Sequence, residues 1–277
     1  MEKGNPTIST TVELISLLGS PWTAKALWIL HHCGIPFHRR PFEPMVDEVW
    51  LRYKLGLWPW HRRFWSRLTV PIAILNTPNQ PSRILLDSLD IAEWAMTTST
   101  SESKSSDKAV DMSKLRPWNA LSDVLLEFGR AAFVKVATTD VQAAIDVLAP
   151  PWMKKLPTFL VTIIMKVAVR IFAFKYRNEN QQSKSSVALE AVQKIRGALR
   201  SGKGQYLVGD QFSYADIVMA IAVNGLSPSD EVFQFTVPRK YDSEVSDFLH
   251  DFEDVKEWKN AVIKKHMPQM LRKTTPS

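Results

Sequence analysis

The chain has 277 residues, 45% of them hydrophobic, which supports one large domain or two smaller ones with a substantial core and excludes a disordered polar chain. Its single cysteine, Cys33, can form neither an internal disulfide nor a CxxC redox pair, in keeping with a reducing compartment. A formal charge of +7 biases partners towards anions but does not select among small molecules, nucleic acid and membrane surfaces.

Met1 to Thr11 is polar and lacks an apolar core region, so a cytoplasmic protein without a secretory signal is expected. Val12 to Leu18 follows as the first strand and runs into Gly19-Ser20-Pro21-Trp22. Ser20 suits an N-cap and Pro21 suits the first helical position, so the spacing of Ala24, Leu27, Trp28, Leu30 and His31 predicts an amphipathic helix ending near Gly34 and Pro36. First-turn N–H groups lack intrahelical partners and the dipole end is positive, so a thiolate or other anion beside Ser20 is favoured there. The same residues also read as a plain capped helix with no chemistry. Cys33 falls at the far end of that helix and reads as buried packing, while His31 and His32 have no Cys or carboxylate at metal-ligand spacing.

Val70 to Leu75 and Arg83 to Leu86 are two further strand candidates; together with the first, alternating with helical stretches, they predict a small sheet covered by helices. Val70-Pro71 places a proline where a ladder donor is lost, as at a strand start or edge. A cis bond there exposes the Val70 backbone to an extended peptide. Asp87-Ser88 precedes the helix of Leu89, Ile91, Ala92 and Trp94, either as a plain N-cap or as groups for an amino acid carboxylate.

The chain divides into residues 1–97, a polar linker at 98–116 rich in Thr, Ser, Glu, Lys and Asp, and a mostly helical domain at 117–277. Helices are expected from Trp118 through Ala132, over Leu156–Phe174, over Val187–Leu199, and around Ala215 and Val255, with Asn178–Ser186 as a loop. A membrane span over Leu156–Phe174 would carry Lys166 and Arg170 in its interior, so no transmembrane segment is assigned; the segment reads as a helix packed in the domain, with a surface amphipathic helix as the alternative. Trp118, Phe128, Phe159, Ile163, Val167 and Phe174 read as helical-domain core, or as the wall of a hydrophobic cavity. Between Lys154 and Lys203 the only acids are Glu179 and Glu190, which reads as a solvated basic face or as one that steers phosphate or anionic lipid; no RNA- or DNA-binding pattern accompanies it, so nucleic acid is not assigned as a partner. Ser213-Tyr214-Ala215-Asp216 matches a capping box before the apolar run Ile217–Val223.

In their order and spacing Ser20-Pro21-Trp22, Val70-Pro71, Asp87-Ser88 and Ser213-Tyr214-Ala215-Asp216, the last preceded by Gly209-Asp210, resemble the cytosolic glutathione transferase superfamily over roughly residues 12–262. The resemblance implies a thioredoxin-like α/β N-terminal domain that binds glutathione, followed by an all-α C-terminal domain with a hydrophobic substrate pocket. It implies Ser20 as the hydroxyl on the glutathione sulfur, Val70 as the backbone clamp, Pro71 as a cis-proline, and Asp87 with Ser88 at the γ-glutamyl end, with Trp22 beside them. Glutathione is then the co-substrate, with no metal; the partner is a hydrophobic electrophile and the assembly a homodimer serving detoxification. Serine at position 20, where a mixed-disulfide chemistry needs a thiol, disfavours glutathione-dependent disulfide reduction. Isomerase, ether-cleaving lyase and non-catalytic ligand-binding versions of the same scaffold stay open. Trp22 departs from the more frequent Phe, Lys25 stands near a frequent Arg or Lys, and the Trp- and Arg-rich segment around Trp50, Trp58, Trp60, Trp65, Arg52, Arg62, Arg63 and Arg67 departs more widely. Those tryptophans read as core or as lining for the peptide, and Arg62 and Arg63 as candidates for its glycyl carboxylate.

Overall fold

The computed structural model describes residues 10–17, 19–44, 46–57, 68–99, 112–150, 152–175, 181–202, 204–229, 232 and 247–272. The chain divides into two compact units, Met1–Val110 and Asp111–Ser277.

In the first unit β1 (Thr11–Ser16), β2 (His38–Pro41), β3 (Ile72–Asn76) and β4 (Arg83–Leu85) form one sheet in the order β2-β1-β3-β4. Helix α1 (Pro21–His32) makes the crossover that lets β1 and β2 run parallel, whereas β1–β3 and β3–β4 are antiparallel. Side-chain alternation puts Ile15, Ile72 and Ile74 on one face, where they pack with Phe42 and with Leu51 of α2 (Glu48–Lys54). Val12, Leu14, Ala73 and Leu75 point to the other face and are equally buried. Helix α3 (Ser88–Thr98) packs against α1, and both bury their apolar faces. The three expected strands are present within a residue or two, and β2 and α2 add to them. Strand β2 reads His-Arg-Arg-Pro, so no apolar alternation marks it; it is an edge strand, and an edge tolerates Pro41.

Among its described residues the second unit consists of helices, short 3₁₀ turns and one isolated bridge between Val232 and Arg272. The helices are α4 (Met112–Thr139), α5 (Val141–Leu148), α6 (Thr158–Lys175), α7 (Gln181–Ser201), α8 (Tyr214–Leu226) and α9 (Glu253–His266). Helix α8 is the centre: every residue in it except Gly225 is buried, and it packs on α4 and α9. A thioredoxin-like α/β region followed by an all-helical region is therefore the architecture.

Three expectations need correction. Residues 112–116, assigned to the linker, are the first turns of α4. Residues 181–186, read as loop, begin α7, whose packed residues Ala188, Ala191, Val192 and Ile195 come later. Phe159, Ile163, Val167 and Phe174, read as core, are exposed, because α6 packs through Val161, Met165 and Val169 instead.

Candidate functional site

The turn from β1 into α1 forms as the residue types dictate. Gly19 takes φ 86°, a left-handed value open to glycine, which lets the chain reverse directly after the strand. Ser20 is the N-cap with extended φ and ψ, and Pro21 opens the helix without losing a bond. The Ser20 backbone is engaged, its N–H donating to Leu17 O at 3.1 Å and its carbonyl accepting from Ala24 N at 2.9 Å. Its hydroxyl makes no cap hydrogen bond to the helix. Ser20 and Trp22 are half-buried, and α1 has no acidic residue in its first turn to oppose an anion.

The sheet register brings the remaining motifs to the same end. The last β1–β3 pair is Ile15↔Ile72, so the register carried past the ladder sets Leu17 opposite Val70 on the way to Ser20. The β3–β4 register, Ala73↔Leu85, likewise carries Asp87 alongside Pro71. The C-terminal ends of β1 and β4 and the N-terminal end of β3 thus share one sheet end. The Val70–Pro71 bond is cis; Pro71 is buried and Val70 half-buried. Asp87 is exposed and caps α3, accepting Leu89 N–H on Oδ1 at 2.7 Å. Ser88 is buried, with its hydroxyl 3.5 Å from the same oxygen. Burial, with Asp87 and Glu93 adding like charge, raises the pKa of Asp90 in the first turn of α3, and Arg83 opposes the rise.

Several neighbours carried no motif. Ser16, fully buried at the end of β1, accepts a 2.9 Å hydrogen bond from Arg39 Nε on β2, and burial lowers the Arg39 pKa. Thr23 Oγ1, in the first turn of α1, is buried without a hydrogen-bond partner. A threonine in a helix and an arginine in an unrecognised strand leave no spacing signature, which is why neither was legible. Lys25 is fully buried. Trp50 is half-buried against the sheet core, with the Arg40 guanidinium 3.4 Å from its ring centroid and Lys54 Nζ at 5.2 Å. Trp58, Trp60, Trp65, Arg62, Arg63 and Arg67 lie outside the described residues. Cys33 is buried at the C-cap of α1 and forms no disulfide. Among the described residues no group of three or more His, Cys, Asp or Glu could hold a metal.

In the helical unit Asp216 accepts the Ser213 N–H at 2.9 Å and the Ser213 hydroxyl at 3.0 Å on one oxygen, and Leu207 N–H at 2.8 Å on the other. Burial pushes its pKa up to about 6 against those three hydrogen bonds. The box therefore ties α8 to the preceding loop, a structural role. A cavity of about 570 Å³ at the α8–α9 junction is lined by Lys256, Lys259 and Lys264 with Glu253, Ser227 and Ser229. Its wall is charged and polar, unlike the hydrophobic pocket expected of this domain.

Residues 165–262 match the family model described as the C-terminal domain of glutathione S-transferase. That match covers the capping box, and the first unit supplies the thioredoxin-like half. Over residues 165–262 the chain is similar to that family's C-terminal domain. Solved structures agree at the level of fold. A glutathione S-transferase from Methylobacillus flagellatus KT with glutathione bound is 15% identical with a TM-score of 0.53, over 92% of this chain and 95% of that one. One from Methylobacterium radiotolerans in complex with glutathione sulfonate is 14% identical with a TM-score of 0.50, over 96% and 98%. A family member from Pseudomonas fluorescens Pf-5 with two glutathiones bound is 12% identical, also at 0.50, over 92% and 88%. No curated protein sequence matches the chain.

Proposed function

We propose that the chain is a glutathione transferase in which Ser20 stabilises the thiolate of bound glutathione for addition to, or displacement on, a hydrophobic electrophile. The observation that carries this reading is the convergence of the Ser20 turn, Val70-Pro71 and Asp87-Ser88 on one sheet end, with a Ser20 hydroxyl that its own helix does not use. Relatives of this fold hold glutathione or its sulfonate, which agrees with the co-substrate proposed.

Each residue has a role that its surroundings permit. The Ser20 hydroxyl donates to the sulfur and the free N–H groups of the first α1 turn add positive potential; together they lower the thiol pKa by about one to three. Ser20 is a donor in this scheme and forms no bond to carbon. The Val70 N–H and C=O, ahead of the β3 ladder, pair with the peptide backbone in antiparallel fashion, beside Pro71 and Trp22. Asp87 caps through Oδ1, which leaves Oδ2 for the γ-glutamyl ammonium, and the Ser88 N–H at the first position of α3 faces its carboxylate. Glutathione supplies the nucleophilic sulfur when bound; the chain's residues hold and orient it. A homodimeric, cytoplasmic detoxification enzyme with its electrophile site in the helical domain belongs to the same proposal.

The test is the ultraviolet absorbance of the glutathione thiolate across pH, with calorimetric binding, for the natural protein and Ser20→Ala. A thiol pKa well below that of free glutathione, reverting in Ser20→Ala while affinity changes little, is the expected result. Binding with no pKa change makes the chain a ligand-holding module, and absence of binding leaves the fold without the activity. Product analysis with electrophile panels separates conjugation from isomerisation and ether cleavage, which draw on the same activated thiol.

A further inference from the structure

Helix α6 is apolar on two sides and buries one. Val161, Met165 and Val169 pack into a cluster with Ala144, Ile145 and Met153. A second stripe, Phe159, Ile163, Val167, Ile171 and Phe174, recurs every three or four residues and therefore runs along one face. These five side chains are 51–72% exposed, Phe174 the most. Trp152, just before the helix in sequence, is 44% exposed. Scattered apolar residues on a surface need no explanation, but a contiguous stripe of large ones on a single helix marks an interaction surface.

The charges decide what covers it. Lys166 and Arg170 are exposed on α6 and Lys155 just before it, and the sequence from Trp152 to Lys175 contains no Asp or Glu. A second copy of the chain docked on this stripe by its own stripe would bring these cations together with no carboxylate of the segment between them. An anionic lipid surface supplies what the stripe lacks, a hydrocarbon boundary for the apolar side chains and phosphate or carboxylate headgroups for the cations. Lys166 and Arg170 border the stripe and their long stems let the charged ends reach the headgroups while the ring and branched side chains go deeper. Among the described residues no helix is long and apolar enough to cross a membrane, so the geometry is that of a helix lying in the interface.

We propose that α6 docks the protein onto anionic membrane surfaces through Phe159, Ile163, Val167, Ile171 and Phe174, with Lys155, Lys166 and Arg170 reading the headgroup charge. The reading is independent of the chemistry at Ser20, and Ser20→Ala protein binds vesicles as the natural protein does.

The experiment is flotation of the full chain with vesicles of phosphatidylcholine alone and of phosphatidylcholine mixed with phosphatidylserine, at low and high salt, alongside sedimentation to fix the oligomeric state. Binding is expected to the mixed vesicles and to weaken with salt. Ile163→Ser combined with Ile171→Ser lowers it more than about tenfold through lost apolar burial. Lys166→Gln and Arg170→Gln each lower it about fivefold. All four positions are exposed, and unchanged thermal midpoints verify that the variants fold. No binding to mixed vesicles overturns the proposal, as does binding that both classes of variant leave intact. A dimer that Ile163→Ser with Ile171→Ser converts to monomer overturns it in favour of a second copy as the occupant.

Discussion

Helices α8 and α6 are both strongly apolar stretches of the same unit, yet the first lies at the centre of the bundle and the second keeps a stripe of large apolar side chains outside. Helix α8, Tyr-Ala-Asp-Ile-Val-Met-Ala-Ile-Ala-Val-Asn-Gly-Leu, has no cation, and its charged residue, Asp216, is satisfied by three hydrogen bonds. Helix α6 carries Lys166 and Arg170 in its interior, and both are exposed. Burying a cation takes a polar partner such as the Ser227 carbonyl that receives Lys259; Lys166 and Arg170 instead keep their charges in water and avoid the cost of desolvation. Apolar content thus says that a helix must be covered; the placement of its charges says whether the protein itself provides the cover.

The sharpest way to break this comparison is to truncate one apolar residue in each helix. Ile221 in α8 is 1% exposed and Ile171 in α6 is 63% exposed. Ile221→Ala is expected to cost about 2–5 kcal/mol through lost transfer energy and the cavity left behind. Ile171→Ser stays within about 0.5 kcal/mol, since its side chain is already in water. Urea unfolding of the two variants measures both. Comparable losses would mean that the α6 stripe is covered by the protein itself, and the contrast would fail.

A second contrast within the helical unit comes from Asp216 and Lys259, the two buried charges among its described residues, which push stability in opposite directions with pH. The Asp216 pKa is raised from the ordinary 3.8 to about 6 by burial, so the folded state holds its proton over a range where the unfolded chain has lost it. Its contribution is fully present below about 3.8 and is lost as pH rises through about 6, on the order of 3 kcal/mol in total. In Asp216→Asn that slope is absent, so the stability gap between natural protein and variant widens as pH falls from about 7 towards about 4. Lys259 is the mirror case. Burial, with Lys256 nearby, lowers its pKa from 10.5 to about 8, and it donates to Ser227 O at 2.8 Å. Its contribution is present above about 10.5 and is lost as pH falls through about 8. Urea midpoints across pH for both natural protein and Asp216→Asn test this; a gap that narrows on acidification contradicts it.

How much of this was legible in the sequence follows from which physics is local. The start of α1 was legible because Ser20 and Pro21 act through their own backbone geometry, and the Ser213–Asp216 box because its partners are three residues apart. Strand β2 was not, since an edge strand of His, Arg, Arg and Pro is held by its backbone pairing to β1 alone. The two faces of α6 were not separable either: Val161, Met165 and Val169 have the same spacing and type as Ile163, Val167 and Ile171, and the packing of α4, α5 and the turn after α5 chooses between them. At the candidate site the motifs were readable one by one, but their meeting at one sheet end depends on register between strands far apart in sequence. The Arg39–Ser16 bond and the partnerless Thr23 hydroxyl depend on the same long-range pairing and packing.

The smallest expected effect separates two residues that both occupy helix N-cap positions in the first unit. Asp87 uses its side chain as a cap, with Oδ1 at 2.7 Å from Leu89 N, whereas Ser20 makes no such bond. Removal of a working cap costs about 1 kcal/mol, so Asp87→Ala is expected to lower the unfolding free energy by that amount. Ser20→Ala removes a hydroxyl that does not hold the helix, and its stability stays within about 0.5 kcal/mol of the natural protein. Denaturant midpoints of the two variants measured side by side check the difference. A loss at Ser20 equal to that at Asp87 would make the serine a cap like any other and would take away the free hydroxyl on which thiolate stabilisation rests. A silent Ser20→Ala leaves any fall in turnover attributable to the chemistry at that hydroxyl, because the helix it precedes is then unchanged.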